Sequence, residues 1–121
     1  MVTAKYFKEA EFKKCTPSCS LQDMQPTFMA TLDAIRSLAG IPLKLSCAYR
    51  SVEWDKAKGR DGNSAHTRGW AVDIVCNSSA TRSKIITAAL RMGINRIGIG
   101  KNFIHLDADP SKPKNVIWHY Y

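Results

Sequence analysis

No apolar run in the chain approaches the roughly 18 to 20 residues that a membrane-spanning helix requires. Met1 to Ala10 lacks the basic-then-apolar order of a secretory signal. These two absences lead us to expect synthesis in the cytoplasm, with no membrane span. Any substrate beyond the membrane would then be reached by another route, such as lysis, a holin or an upstream segment. Repeats, low-complexity tracts and linkers are missing too, so the 121 residues have room for one domain, 1–121, around one core. A monomer is expected.

Acidic residues are scarce: ten Asp plus Glu face eighteen Lys plus Arg, a net charge of +8 that favours attraction to polyanions. Anionic cell-wall polymer and nucleic acid both qualify. The basic residues are scattered as Lys13-Lys14, Lys56 to Arg60, Arg82 to Lys84 and Lys112 to Lys114, without a dense stripe or nucleic-acid motif. Nucleic acid therefore ranks below wall polymer, and general solubility accounts for the charge equally well. Cysteine is limited to four residues. Cys47 and Cys76 lie in apolar, strand-like stretches and read as small buried hydrophobes. Cys15 and Cys19 bracket a turn, where a bridge or a metal pair is the alternative to two free thiols.

What is present is ordinary globular sequence, 45% hydrophobic and 23% charged, which excludes disorder. Tyr6, Phe7 and Phe12 flank a short helical stretch. From Pro26 to Ala39, Phe28, Leu32, Ile35 and Ala39 recur at helical spacing, with proline suited to the first turn and Gly40 to the C-terminal cap. Leu43 to Ala48 alternates as a strand that delivers Arg50 to a loop mouth. Lys56 to Ser64, with Gly59, Gly62 and Asn63, reads as a surface loop of the kind that borders substrate grooves. Trp70 to Cys76 is a second strand. Ser79 to Met92 is a second amphipathic helix, with Ser79 as N-cap and Gly93 as stop. Ile94 to Ile99 and Phe103 to Asp107 form a hairpin across Gly100-Lys101-Asn102, and Val116 to Tyr121 adds an edge strand. Helices fall between strands without a regular βαβ rhythm, so the expected class is α+β, a small and mainly antiparallel sheet with flanking helices.

Catalytic zinc takes three protein ligands and keeps one position open for water. His66, Asp73 and His105 can supply that set. Gly69 allows a turn that brings a loop histidine back over a strand carboxylate seven positions later. On a strand, residues two apart share a face at roughly 6.5 Å between Cα atoms. His105 and Asp107 therefore face one site, with Asp107 placed to act as general base on a metal-bound water. Taken singly, His66 reads as a surface loop residue, His105 as a hydrogen-bonded core histidine and Asp73 as a paired acid. Taken together, two acids and a histidine in otherwise apolar strands each carry a burial cost that metal coordination would offset.

Ser64-Ala65-His66-Thr67-Arg68-Gly69-Trp70-Ala71-Val72-Asp73 resembles the Ser-x-His-x-x-Gly-x-Ala-x-Asp signature of the LAS-type zinc peptidases. These are the D-alanyl-D-alanine carboxypeptidases and L-alanyl-D-glutamate endopeptidases, which share a fold with the hedgehog signalling domain. Tyr49-Arg50-Ser51 is similar to the group's Tyr-Arg-Ser segment, and Phe103 to Asp107 resembles its last ligand strand. The resemblance runs from about Phe7 to Trp118. It implies a zinc-dependent peptidase acting on peptidoglycan stem peptides, with His66, Asp73 and His105 as metal ligands. It further implies that Arg50 meets a substrate carboxylate or carbonyl through its planar guanidinium, and that Ser64 and Gly69 shape the ligand loop. Several members place the catalytic acid three residues before the last histidine. Here that position is Asn102, which cannot take a proton, so Asp107 replaces it or the domain binds zinc without turnover. Trp70, Trp118 and His119 are further candidates for contact with substrate, each with core or edge packing as the alternative.

Overall fold

The computed structural model describes residues 1–121. Helix α1 (Glu9–Lys13) is followed by a 3-10 turn at Leu21–Asp23, helix α2 (Pro26–Ala39) and strand β1 (Leu45–Cys47). Next come α3 (Val52–Ala57), a second 3-10 turn at Ala65–Arg68, β2 (Ala71–Val75) and α4 (Ser79–Arg91). Strands β3 (Arg96–Ile99), β4 (Phe103–Asp107) and β5 (Val116–His119) complete the chain. The fold is α+β, with a five-stranded sheet in the order β1-β2-β4-β3-β5. Every pairing is antiparallel except β3 with β5, which is parallel. None of the helices is long and apolar enough to cross a membrane.

Period-two alternation divides the sheet into two unlike faces. Val72 and Ile74 of β2, Ile97 of β3, and Ile104 and Leu106 of β4 are fully buried. They join one hydrophobic cluster with Phe28, Met29, Leu32 and Ile35 of α2 and Ile85, Ala88 and Ala89 of α4. The residues between them, Asp73, Gly98, Phe103, His105 and Asp107, fall on the opposite face. One side of each strand thus anchors the core and leaves the other free to carry polar groups.

Helix α2 ends as its sequence indicates, with Gly40 left-handed at φ 69° and its N–H on the Arg36 carbonyl. Helix α4 is capped one residue earlier than expected, because the Ser78 hydroxyl accepts from the Thr81 N–H at 3.1 Å. Strand β1 is shorter than Leu43 to Ala48, and its register with β2 shifts between Leu45 and Cys47, a bulge that turns the chain toward Arg50. The expected loop from Lys56 is helical until Ala57. Its helix, α3, begins at Val52 with the Ser51 hydroxyl capping the Trp54 N–H at 3.0 Å. A six-residue helix is too short for hydrophobic periodicity to reveal. Strand β5 lies at the sheet edge as expected but stops at His119. All four cysteines are buried free thiols; the Cys15 and Cys19 sulfurs turn to the Glu11 and Phe12 carbonyls at 3.4 and 3.7 Å.

Candidate metal centre

Three elements bring His66, Asp73 and His105 together. Asp73 on β2 and His105 on β4 are direct cross-strand partners. His66 comes from the 3-10 turn that precedes β2. That turn closes on Gly69, left-handed at φ 76°, and is held against the start of α2 by Gln25, whose backbone N–H donates to the Gly69 carbonyl and whose side chain donates to the Arg68 carbonyl, both at 3.0 Å. A Cβ at position 69 would lie 2.4 Å from the Asp23 carbonyl oxygen, so glycine is required there for both conformation and space.

The histidine nitrogens are sorted by their outer partners. Nδ1 of His66 lies 2.6 Å from the Ala48 carbonyl oxygen, to which only an N–H can donate, so the lone pair is on Nε2, 3.4 Å from Asp73 Oδ1. His105 is turned the other way: Nε2 donates to Asp107 Oδ2 at 2.6 Å, and Nδ1 faces Asp73 Oδ1 at 3.0 Å. One carboxylate oxygen therefore sits between two imidazole nitrogens. This donor set, with each far ring nitrogen tied down, fits a zinc ion of the His, Asp, His type. Burial works against a charged His105, but its hydrogen bonds to Asp107 and Asp73 outweigh this and raise its pKa. Burial likewise opposes the Asp73 carboxylate, and the two histidines more than reverse it, holding its pKa well below the usual range.

Cys47 forms an overlapping group with His66 and Asp73, their potential ligand atoms all lying within 4.8 Å of one another. The His66 nitrogen nearest its sulfur, at 3.8 Å, is Nδ1, which is already committed to the Ala48 carbonyl. Burial also pushes the thiol of metal-free Cys47 up to about 12. His105, unlike Cys47, lines the open cavity. Of these four side chains, His66, Asp73 and His105 are the ones that line the cavity.

That cavity, about 320 Å³, is bordered by Arg50 and Ser64 as well as the three donors. Arg50 donates from its terminal nitrogen to the Ser64 hydroxyl at 3.1 Å. Aromatic side chains of Phe103, Trp118 and Tyr120 form a wall, with the Trp118 ring 5.4 Å from that of His105.

Three expectations need correction. Asp107, expected as a free base, has both oxygens engaged: Oδ2 by His105, and Oδ1 by Arg96 Nε at 2.6 Å and by the Asp109 N–H at 3.2 Å. It is 1% exposed and sits behind the histidine, on the ring nitrogen opposite Asp73. His119 is exposed and lies outside the cavity, because alternation along β5 turns Trp118 inward and its neighbour out. Trp70 packs against the hydrophobic core and does not line the cavity. Asn102 is exposed in the β3–β4 turn, away from the cavity.

Arg96, Arg60, Lys112 and Tyr120 border the cavity and were not foreseen. Tyr120 was legible, being two residues beyond Trp118. Arg96 was not, since its role rests on the register that sets it opposite Asp107.

A model of the M15 peptidase family matches residues 5–107. The chain belongs to the M15 peptidases. No curated protein gives a significant match. Membership makes this M15 peptidase a metallopeptidase of a zinc-dependent family, and the matched segment contains all three donors. The match stops at Asp107, so β5 with Trp118 and Tyr120 lies beyond it.

Proposed function

We propose that this M15 peptidase hydrolyses D-amino-acid-containing bonds of peptidoglycan stem peptides, with zinc held by His66, Asp73 and His105. The observation that carries this reading is the presentation of His66 Nε2 and His105 Nδ1 to one oxygen of Asp73, at 3.4 and 3.0 Å, in a cavity shared with Arg50. Zinc bound there supplies an acidified water and polarises the scissile carbonyl. The chain's own groups do the rest. The Ala48 carbonyl and the Asp107 carboxylate hold the two imidazoles in the tautomers that face inward. Arg50, steadied by Ser64, offers a planar guanidinium to a peptide carboxylate or carbonyl. The aromatic wall screens the site from water on one side.

The peptide substrate belongs to the wall, and the +8 charge supports attraction to anionic wall polymer rather than to nucleic acid. The protein acts as a monomer delivered to the wall after synthesis in the cytoplasm. Zinc-loaded protein is expected to release fragments from purified stem peptides, read by mass spectrometry, to lose this with chelator and to regain it with zinc. Absence of release from every stem peptide would sink the reading.

One observation favours a second reading, a zinc-stabilised wall- or protein-binding module without turnover. Asp107 is the single cavity carboxylate besides Asp73, and to act as base it must let go of His105 or Arg96. Retention on purified wall with the peptides left intact would favour the module.

A further inference from the structure

The charges lining the cavity do not balance. Four cations, Arg50, Arg60, Arg96 and Lys112, face two acids, Asp73 and Asp107. Asp107 is matched by Arg96 and Asp73 is engaged by the histidines. The remaining two guanidiniums share one carboxylate outside the cavity: Arg50 Nε and Arg60 Nε lie 3.2 and 3.8 Å from the same Oδ1 of the fully buried Asp55. Neither Asp55 oxygen has a well-formed hydrogen bond, and Arg50 Nε has none either. One buried negative charge thus serves two arginines, loosely. Lys112, on the segment between β4 and β5, makes no ion pair.

Position strengthens the case. Arg50 is 9% exposed and directed into the cavity, so its charge cannot be dissipated by water as a surface arginine's is. The Arg60 side chain is 46% exposed and leans on the Trp54 ring at 5.8 Å, which holds it near the mouth. A concave site lined by unmatched cations concentrates anions. The surplus comes from two separate loops, so it favours a ligand with more than one negative group.

We propose that the cavity takes an acidic peptide, one bearing a side-chain carboxylate besides the group that Arg50 meets, and that Arg60 and Lys112 select that second carboxylate. This deepens the peptidase reading and rests on it. Arg60 and Lys112 are specificity determinants here and take no part in bond cleavage.

The test compares two stem-type peptides identical except that one side-chain carboxylate is free in the first and a carboxamide in the second. Hydrolysis by the zinc-loaded full chain and binding by calorimetry are both measured, for the native protein and for Arg60→Gln, Lys112→Gln and the double variant. The free acid should be preferred about tenfold, through KM rather than kcat, and each single variant should reduce that ratio about two- to fivefold, as expected for part-exposed charge pairs. The preference should shrink as salt rises. Equal treatment of acid and amide in both measurements would overturn the proposal and leave the peptidase reading standing. So would a preference that the double variant retains. Preferential binding of the acid without cleavage of either peptide would sustain the proposed subsite and remove the peptidase reading. Failure of both peptides to bind would overturn the subsite.

Discussion

His105 and Asp107, two residues apart on β4, meet side chain to side chain, with Nε2 donating to Oδ2 at 2.6 Å. Their shared face follows from strand geometry. The direction of the contact gives Asp107 its role, because it grips the ring nitrogen opposite Asp73 while Arg96, across the β3–β4 pairing, grips Asp107 in turn. A carboxylate so placed orients a metal-binding histidine and raises its basicity.

Asp107→Asn should therefore weaken zinc binding about 10- to 100-fold, the usual effect of removing an outer-shell partner. Competition against a chromogenic chelator measures this, with circular dichroism to verify that the fold persists. Unchanged zinc affinity in a folded variant would exclude the positioning role.

Gly98 lies on β3 opposite both His105 and Trp118. A Cβ there would come within 2.7 Å of the Tyr120 ring and 2.8 Å of the Trp118 ring. Gly98→Ala should displace the aromatic wall and lower stability by about 1–3 kcal/mol, the range for overpacking. A shift in tryptophan fluorescence with a raised KM is the expected signature; native fluorescence and kinetics would show that the wall does not depend on this gap.

Gly69→Ala meets backbone rather than a movable ring, at 2.4 Å from the Asp23 carbonyl, and in a left-handed conformation. A loss of about 2–4 kcal/mol is expected from strain and overpacking together. Urea denaturation gives the value. Because this turn carries His66, zinc affinity should fall with stability.

Asp109 contributes to the acid limit, as do Asp73 and Asp107. Burial raises the pKa of Asp109, but hydrogen bonds from Ser111 and the Arg68 guanidinium more than compensate and hold it below the ordinary carboxylate value. A group whose pKa is lower folded than unfolded contributes stability above its unfolded value, near about pH 4, and loses it as the pH falls through the folded one. Thermal melts should therefore show stability declining below about pH 4, and Asp109→Asn should be less stable at neutral pH with a flatter acid limb. An equally steep limb in the variant would place the acid sensitivity elsewhere.

Much of this protein was legible before folding was considered. Helix α2 announces itself through a four-turn apolar stripe between Pro26 and Gly40, because periodicity and caps are local properties. Strands β2 and β4 read as apolar segments interrupted by single polar residues, and those interruptions, Asp73, His105 and Asp107, are the polar face of the sheet. The ten-residue signature around His66 pointed to a metallopeptidase family, and the family match agrees. Helix α3 was missed, being short and held by one serine cap, as was the parallel pairing of β5.

Sequence alone determined which residue types share a strand face, where the main helices start and stop, and which family the chain resembles, since all three depend on neighbours along the chain. Only the tertiary structure decided which nitrogen each histidine offers, that Asp107 is held between His105 and Arg96, that His119 turns away while Trp118 turns in, and that Arg50 and Arg60 share Asp55. Those outcomes depend on cross-strand register and on loops that meet in space. One residue of slip would move each side chain to the other face while leaving the sequence pattern unchanged.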